Sequence, residues 1–565
     1  MDISFGAKTH TGNSGSACSF PKPVAINHDR PAPRRLRRFG IWTVSFSLLL
    51  LPVEAAFAQG IYSHWINKTG GTVPATSLGA AMDTSTNVYV LGRFYDYTNR
   101  IGSTTLTNLI GVSNLFFAKF TGNAVTPPAW AKTVVTEYPV SQARIVSDSS
   151  GDCIVADSFG GTNLSLGGST LTNFGTAGGH SEDVFVAQFN TAGTFQRLMQ
   201  LGGTSEDTLG GLTIDHGFGS ASGFYLTGAF QSTNFSAGST NLTRLSSSGS
   251  DCFAAKFNLS GSLLWIQQGA YAVGSCIEVD TSNNCYVGGT TLGPATFNGL
   301  SPANPTTTNF LAKYNKNGNL LWVRGDVPVG SRLAADKLQN IYLTGTFSDV
   351  LQFGPITLSN NSPSTIFVAK CDTNGTPLWA RQLPGWGYDD VSAITVDSVG
   401  NCWVAGYFAS SPQATLPTNS IAIIVCFDNA GNLLAVSQTK GDGPSAADAV
   451  CGTGNNFNGN ICVSGTFITN FVMYGKYVVT NLSGADIFAS VGGVSPQLKI
   501  STSGTNLILN WPVVTSTFTL QVVTDLSGAS WSTVGNGVNV NGQMTVTNNP
   551  IGSSVRFYRL INNNP

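Results

Sequence analysis

One short hairpin, written seven times, constrains this chain more than any other feature. Its clearest copy is VSAITVDSVGNCWVAGYF, from Val391 to Phe408. Two runs of β-branched, aromatic and small residues flank a turn opened by Asp397 and closed by Asn401, the composition of paired strands around a tight reversal. Six weaker copies begin at Leu78, Gln142, Gly210, Gly274, Ser331 and Asp448. The second strand carries a landmark glycine at Gly92, Gly228, Gly289, Gly345, Gly406 and Gly465, with Asp157 in its place in the second copy, and the successive spacings are 65, 71, 61, 56, 61 and 59 residues. A unit recurring at this period is a supersecondary module that buries its faces against its neighbours.

A second hairpin follows each first one after a variable polar stretch of about twenty residues, which has the composition of a loop. Its leading strand reads FFAKF from Phe116, FVAQF from Phe185, FAAKF from Phe253, FLAKY from Phe310, FVAKC from Phe367 and IIVCF from Ile423. Its turn is Asp/Asn-x-x-Gly, closed by Gly193, Gly261, Gly318, Gly375 and Gly431, and its last strand carries Trp130, Trp265, Trp322 or Trp379. Glycine at that point suits a left-handed residue in a bulged hairpin. Four antiparallel strands per unit describe a propeller blade. The last unit, ending near Val491, lacks a tryptophan strand, whereas a spare one around Trp65 precedes the first unit. Pairing the two removes both open sheet edges. The expected fold is all-β: a seven-bladed β-propeller over residues 59–493, its last blade completed by the N-terminal strand.

The Asp-x-x-Gly-Asn turn, YVxGxF, FVAKY and LWA segments resemble the SBBP-type bacterial β-propeller repeat. That resemblance implies an exported propeller and brings no catalytic residue with it. From Pro496 the pattern changes to short alternating runs in which Trp511, Phe518, Leu520, Trp531 and Tyr558 suit one small core. Residues 494–565 are expected to form a small β-sandwich, similar to fibronectin-III-like terminal modules.

Ahead of the repeats, RRLRR (34–38) precedes an apolar run from Ile41 to Leu51, then Pro52 and Ala56, Phe57 and Ala58. A basic start, a short apolar stretch and small residues at the cleavage point make a secretory signal over residues 1–58. The apolar run falls short of the roughly 20 residues that span a bilayer, so no transmembrane segment is expected in the mature chain. Residues 1–58 hold seven of the 28 Lys/Arg and three of the 29 Asp/Glu, leaving 21 basic against 26 acidic side chains, a net charge of −5. Without a basic stripe, nucleic acid is not an expected partner.

The chemistry-bearing residues are few. Cys153, Cys285 and Cys402 share one strand slot in different copies, and Cys371 and Cys426 share another. Such residues lie too far apart to bridge, and nine cysteines beyond the leader is an odd number, so they read as small buried hydrophobes. The turn aspartates lack the ligand spacing of a calcium loop and read as caps of their own turns. His64, His180 and His216 form no spaced pair, and neither metal nor cofactor is expected.

Two groups stand out as binding candidates. Aligned on the turn Asp, the first strands put Arg144 and Arg332 in one slot and Glu278 two residues further on, on the same strand face. Lining a channel, these three form either a solvated ion-pair cluster or a pocket for an anionic ligand. The inter-blade loops offer Glu182, Asp183, Glu206, Asp207 and the run Trp386, Tyr388, Asp389 and Asp390, rings beside carboxylates that suit sugar. The expected function is an exported, monomeric binding or scaffold protein of the envelope or extracellular space, recognising a glycan or protein. The alternatives are a glycan-active hydrolase or lyase using the loop acids, and a purely structural surface protein.

Overall fold

The computed structural model describes residues 61–562 apart from short segments, of which 411–419 is the longest. The expected leader, Trp386 and Trp531 lie outside the described residues. Every regular element described is a β-strand, and among the described residues no helix is long and apolar enough to cross a membrane.

The repeats form a propeller-like series of four-stranded antiparallel units. In the fifth copy the order is Arg332–Ala335, Ile341–Phe347, Thr365–Cys371 and Pro377–Leu383. Two middle strands are buried along their whole length in most copies, as in VFVAQF and IFVAKC, because sheets cover both of their faces. The innermost strand of each copy packs against that of the next, and the last, Ser445–Cys451, packs against the first, Ala75–Met82. Between first and last copies the Ser77 amide donates to Thr466 Oγ1 at 2.9 Å, and the Ser77 and Ser464 hydroxyls lie 2.9 Å apart. The strand pairing read from the chain's two ends is present: Ile61–Lys68 runs antiparallel to Asp486–Val494, from Ile61 opposite Val494 to Lys68 opposite Phe488.

The recurring residues hold each copy to the one after it. In the first copy Asp83 Oδ1 accepts the amides of Ser85 and Asn87, and Oδ2 accepts Asn87 Nδ2 and the Tyr89 hydroxyl. Asp280 and Asp336 repeat this set, so the turn aspartates are caps. Tyr89 also donates to Gly151 O in the second copy, and Lys119 Nζ reaches Thr191 there. Trp130 completes the contact by donating to Thr191 O and covering Gly193, whose φ is 75°. A side chain at Gly193 would meet the indole at 2.8 Å, so this turn needs glycine for backbone conformation and space alike. Trp265 and Trp379 make the same bond, to Lys316 O and Asn429 O.

The variable polar stretches are not plain loops. Several are small hairpins that pair with the outermost strand of the preceding copy: Asn163–Leu166 with Trp130–Thr136, and Asn234–Ala237 with Phe195–Gly202. In the fourth copy the strand Cys285–Phe297 itself runs on until Phe297 opposes Gly269 of the third. These pairings cover backbone groups that an outermost strand leaves open. The C-terminal segment forms a four-stranded and a three-stranded antiparallel sheet, with Leu509, Trp511 and Leu520 buried and Tyr558 and Leu560 packed against them.

Candidate functional site

The innermost strands bring most of the charged candidates to one ring. Five of them carry a β-bulge at an equivalent point, at Leu78, Gly210, Ser275, Ser392 and Asp448. A bulge twists a strand locally and re-aims the side chains beside it. The landmark glycine pairs just before the bulge, where strands approach closely: a Cβ on Gly228 would sit 1.9 Å from Thr208 O.

Asp157 occupies that glycine slot in the second copy, opposite Phe185. The innermost strand begins only at Arg144, and the Asp157 carboxylate accepts the amides of Gln142 at 3.1 Å and Ser158 at 2.7 Å. Burial raises Asp157 to about 7 against the pull of those bonds and of Arg144.

Arg144 is half-buried, and its guanidinium donates to the carbonyls of Gln142, Ala143 and, at 3.4 Å, Gly210. Burial, then the like charge of Arg332, lowers it to about 9. Arg332 donates from Nε to Ser392 O at 2.6 Å and is lowered by burial, with Cys276 and Asp390 acting the other way. The ring therefore brings the two arginines within electrostatic range of each other. Glu278 is held separately: it accepts its own Val279 amide at 2.8 Å and the Thr213 hydroxyl at 3.3 Å, and burial raises it to about 7. Ion pairs elsewhere among the described residues include Lys256–Asp215, Arg324–Asp326 and Lys370–Asp336.

Asp448 belongs to the ring and is missed by sequence alignment. Its copy has Thr453 where the others have the turn Asp, so the anchor used for aligning them is absent. Asp448 accepts the Thr466 hydroxyl at 2.6 Å and is raised to about 7, chiefly by burial. The signal that finds it is Gly465, which places Ala447 opposite and Asp448 in the bulge.

The inter-blade acids divide into two kinds. Asp183 accepts the amides of Phe174 and Gly203, Asp207 those of Gln231 and Ser232, and Asp389 that of Ala409. All three are buried and turned inward to hold backbone. Tyr388 is half-buried, in an isolated bridge with Ser364, and Asp390 caps the Val391 amide at the start of its strand. Burial raises Asp390, and Arg332 opposes the rise, so Asp390 sits with the arginine ring rather than with Asp389. Glu182 is raised to about 7 by burial and by Glu206, which makes these two the interacting carboxylates of the loop face.

No protein-family model matches the chain. It is similar to an uncharacterized WD repeat-containing protein, L264, of Acanthamoeba polyphaga mimivirus, 24% identical over 432 residues, 62% of this chain and 30% of that protein. The chain thus spans under a third of that relative's length. Among solved structures, the Dos1 propeller is 8% identical with a TM-score of 0.37, covering 76% of this chain and 95% of its own. A subtype N10 neuraminidase-like protein of a little yellow-shouldered bat isolate from Guatemala is 9% identical with a TM-score of 0.32, covering 77% of this chain and 99% of its own.

Proposed function

We propose that this chain is an exported binding scaffold: a seven-bladed propeller of SBBP type, completed by its N-terminal strand and followed by a fibronectin-III-like sandwich. Its ligand is anionic, an acidic glycan or a carboxylate-bearing protein segment, taken at the ring of innermost strands. The observation that carries this reading is the Arg144–Arg332 pair, in which the charge of Arg332 lowers Arg144 while Arg144 spends its bonds on neutral carbonyls. An incoming carboxylate or sulfate relieves that repulsion and accepts charge-assisted bonds in the geometry guanidinium favours. Fold alone does not choose a ligand. The test is calorimetric titration with an acidic and a neutral polysaccharide. Binding of the acidic one alone, weakened about tenfold or more by Arg144→Ala or Arg332→Ala, supports the reading; equal binding by both variants overturns it.

The Glu182–Glu206 interaction favours a second reading, a glycan-active hydrolase or lyase. A carboxyl protonated near neutrality beside a second carboxylate is the equipment of acid–base glycoside cleavage. Under this reading, activity on polysaccharide falls on the alkaline side near pH 7 and is lost in Glu182→Gln.

A further inference from the structure

We infer that Cys451 and Cys462 form a disulfide site that locks the last repeat. They are directly opposed in the register of Ser445–Cys451 and Ile461–Phe467, and opposed residues share a sheet face. Directly opposed Cα atoms lie roughly 4.5–5.5 Å apart in an antiparallel ladder. A disulfide spans roughly 4.4–6.8 Å between Cα atoms. Cys451 is also among the groups that raise the Cys462 thiol, as expected for neighbouring thiols. None of the other seven described cysteines is opposed by a cysteine: Cys153 faces Ser147 and Phe189, Cys252 faces Ala229 and Gly269, and Cys402 and Cys426 face Phe427 and Trp403. Cys276 and Cys285 face Gly288 and Val279, and Cys371 faces Ile341 and Pro377.

The pair stands where the last repeat lacks its usual polar lock. Cys462 fills the slot of Tyr89, Tyr286 and Tyr342, Val491 fills that of Lys119, Lys313 and Lys370, and Thr453 replaces the turn Asp. Across from those tyrosines stand Ala81, Glu278 and Ala334, and in the last repeat the facing residue is Cys451. A covalent bond between the strands supplies the fixation that the missing Tyr–Asp–Lys contacts give elsewhere.

The half-buried Cys451 is the thiol that meets an oxidant first, since burial pushes the Cys462 thiol well above its usual range. With oxidised glutathione, the Cys451 thiolate attacks one glutathione sulfur and releases a glutathione thiol. The Cys462 thiolate then attacks the Cys451 sulfur and releases the second. Two protein thiols are oxidised and one glutathione disulfide is reduced to two thiols.

The test equilibrates the full native chain with oxidised glutathione, counts thiols after denaturation and maps peptides without reduction. The expected result is a loss of two thiols, one linked peptide pair joining positions 451 and 462, and amide exchange in these two strands slowed at least tenfold, all reversed by dithiothreitol. Cys451→Ser, at a half-buried position, should keep all its remaining thiols and show no slowing, whereas Cys462→Ala should stop at a mixed disulfide between Cys451 and glutathione, with no linked peptide pair and no slowing. An unchanged thiol count, a stable glutathione adduct at Cys451 with Cys462 free, or linkage between other cysteines would overturn the proposal.

Discussion

The fifth and seventh repeats use the same four-strand plan and fasten it differently. In the fifth, Tyr342 donates to Asp336 and to Gly400 O, Lys370 pairs with Asp336 at 3.2 Å while its ammonium lies over the Tyr342 ring, and Trp379 reaches Asn429 O. Lys370 also donates to Asn429 Oδ1, so three side chains of one repeat hold both turns of the next. In the seventh, Cys462 and Val491 replace the tyrosine and the lysine, and the outermost strand comes from Ile61–Lys68 at the other end of the sequence. The comparison teaches that fastening through local polar contacts can be dropped where a strand distant in sequence completes the sheet.

Removing residues 61–68 should have the largest effect on this contrast. It strips the seventh repeat of its outer strand and exposes the edge of Asp486–Val494, and a shift to aggregated or partly unfolded material is expected by size-exclusion chromatography and thermal melting. Next, Lys370→Met leaves the buried Asp336 carboxylate without its cation and should cost about 3 kcal/mol in urea denaturation. Val491→Ile, in the equivalent slot of the seventh repeat, should cost less than about 1.5 kcal/mol, because it exchanges one apolar side chain for another of nearly the same volume and leaves no charge unpaired. Trp379→Ala should cost about 3 kcal/mol, from lost packing against the Gly431 turn and the lost bond to Asn429.

A separate test is a pH slope. Asp157, Glu278 and Asp448 are all raised to about 7 by burial, so the folded chain holds protons that the unfolded chain has released. Stability should therefore fall as pH rises from the ordinary carboxyl range, roughly 4, to about 7. The urea midpoint is expected to be higher at pH 5 than at pH 8, and Glu278→Gln to flatten part of that difference. A midpoint that rises with pH would contradict these assignments.

Much of this fastening is legible in the sequence, because turn residues and alternating strands are local signals. Asp83, Asp280, Asp336 and the glycines at 193, 261, 318, 375 and 431 do what their residue types suggest. The pairing of Ile61–Lys68 with Asp486–Val494 is readable from what each end lacks. The inserted hairpins are not, since short runs of Ser, Thr and Asn look like loops until a neighbouring edge pairs with them. At the candidate site, alignment of the copies finds Arg144, Arg332 and Glu278, but their separation into an arginine pair and a lone glutamate depends on packing. Asp183, Asp207 and Asp389 look like ligand-facing acids in sequence, and only the fold shows them holding backbone amides.

The central claim, that the first and last repeats meet, is tested most directly by Ser77→Cys combined with Ser464→Cys. The two hydroxyls lie 2.9 Å apart across the junction, 387 residues apart in sequence. The account predicts that the double variant, oxidised in its native state, yields a peptide linked through positions 77 and 464, and that neither single variant does. An oxidised double variant with no such link would mean that the repeats form an open stack whose ends never touch.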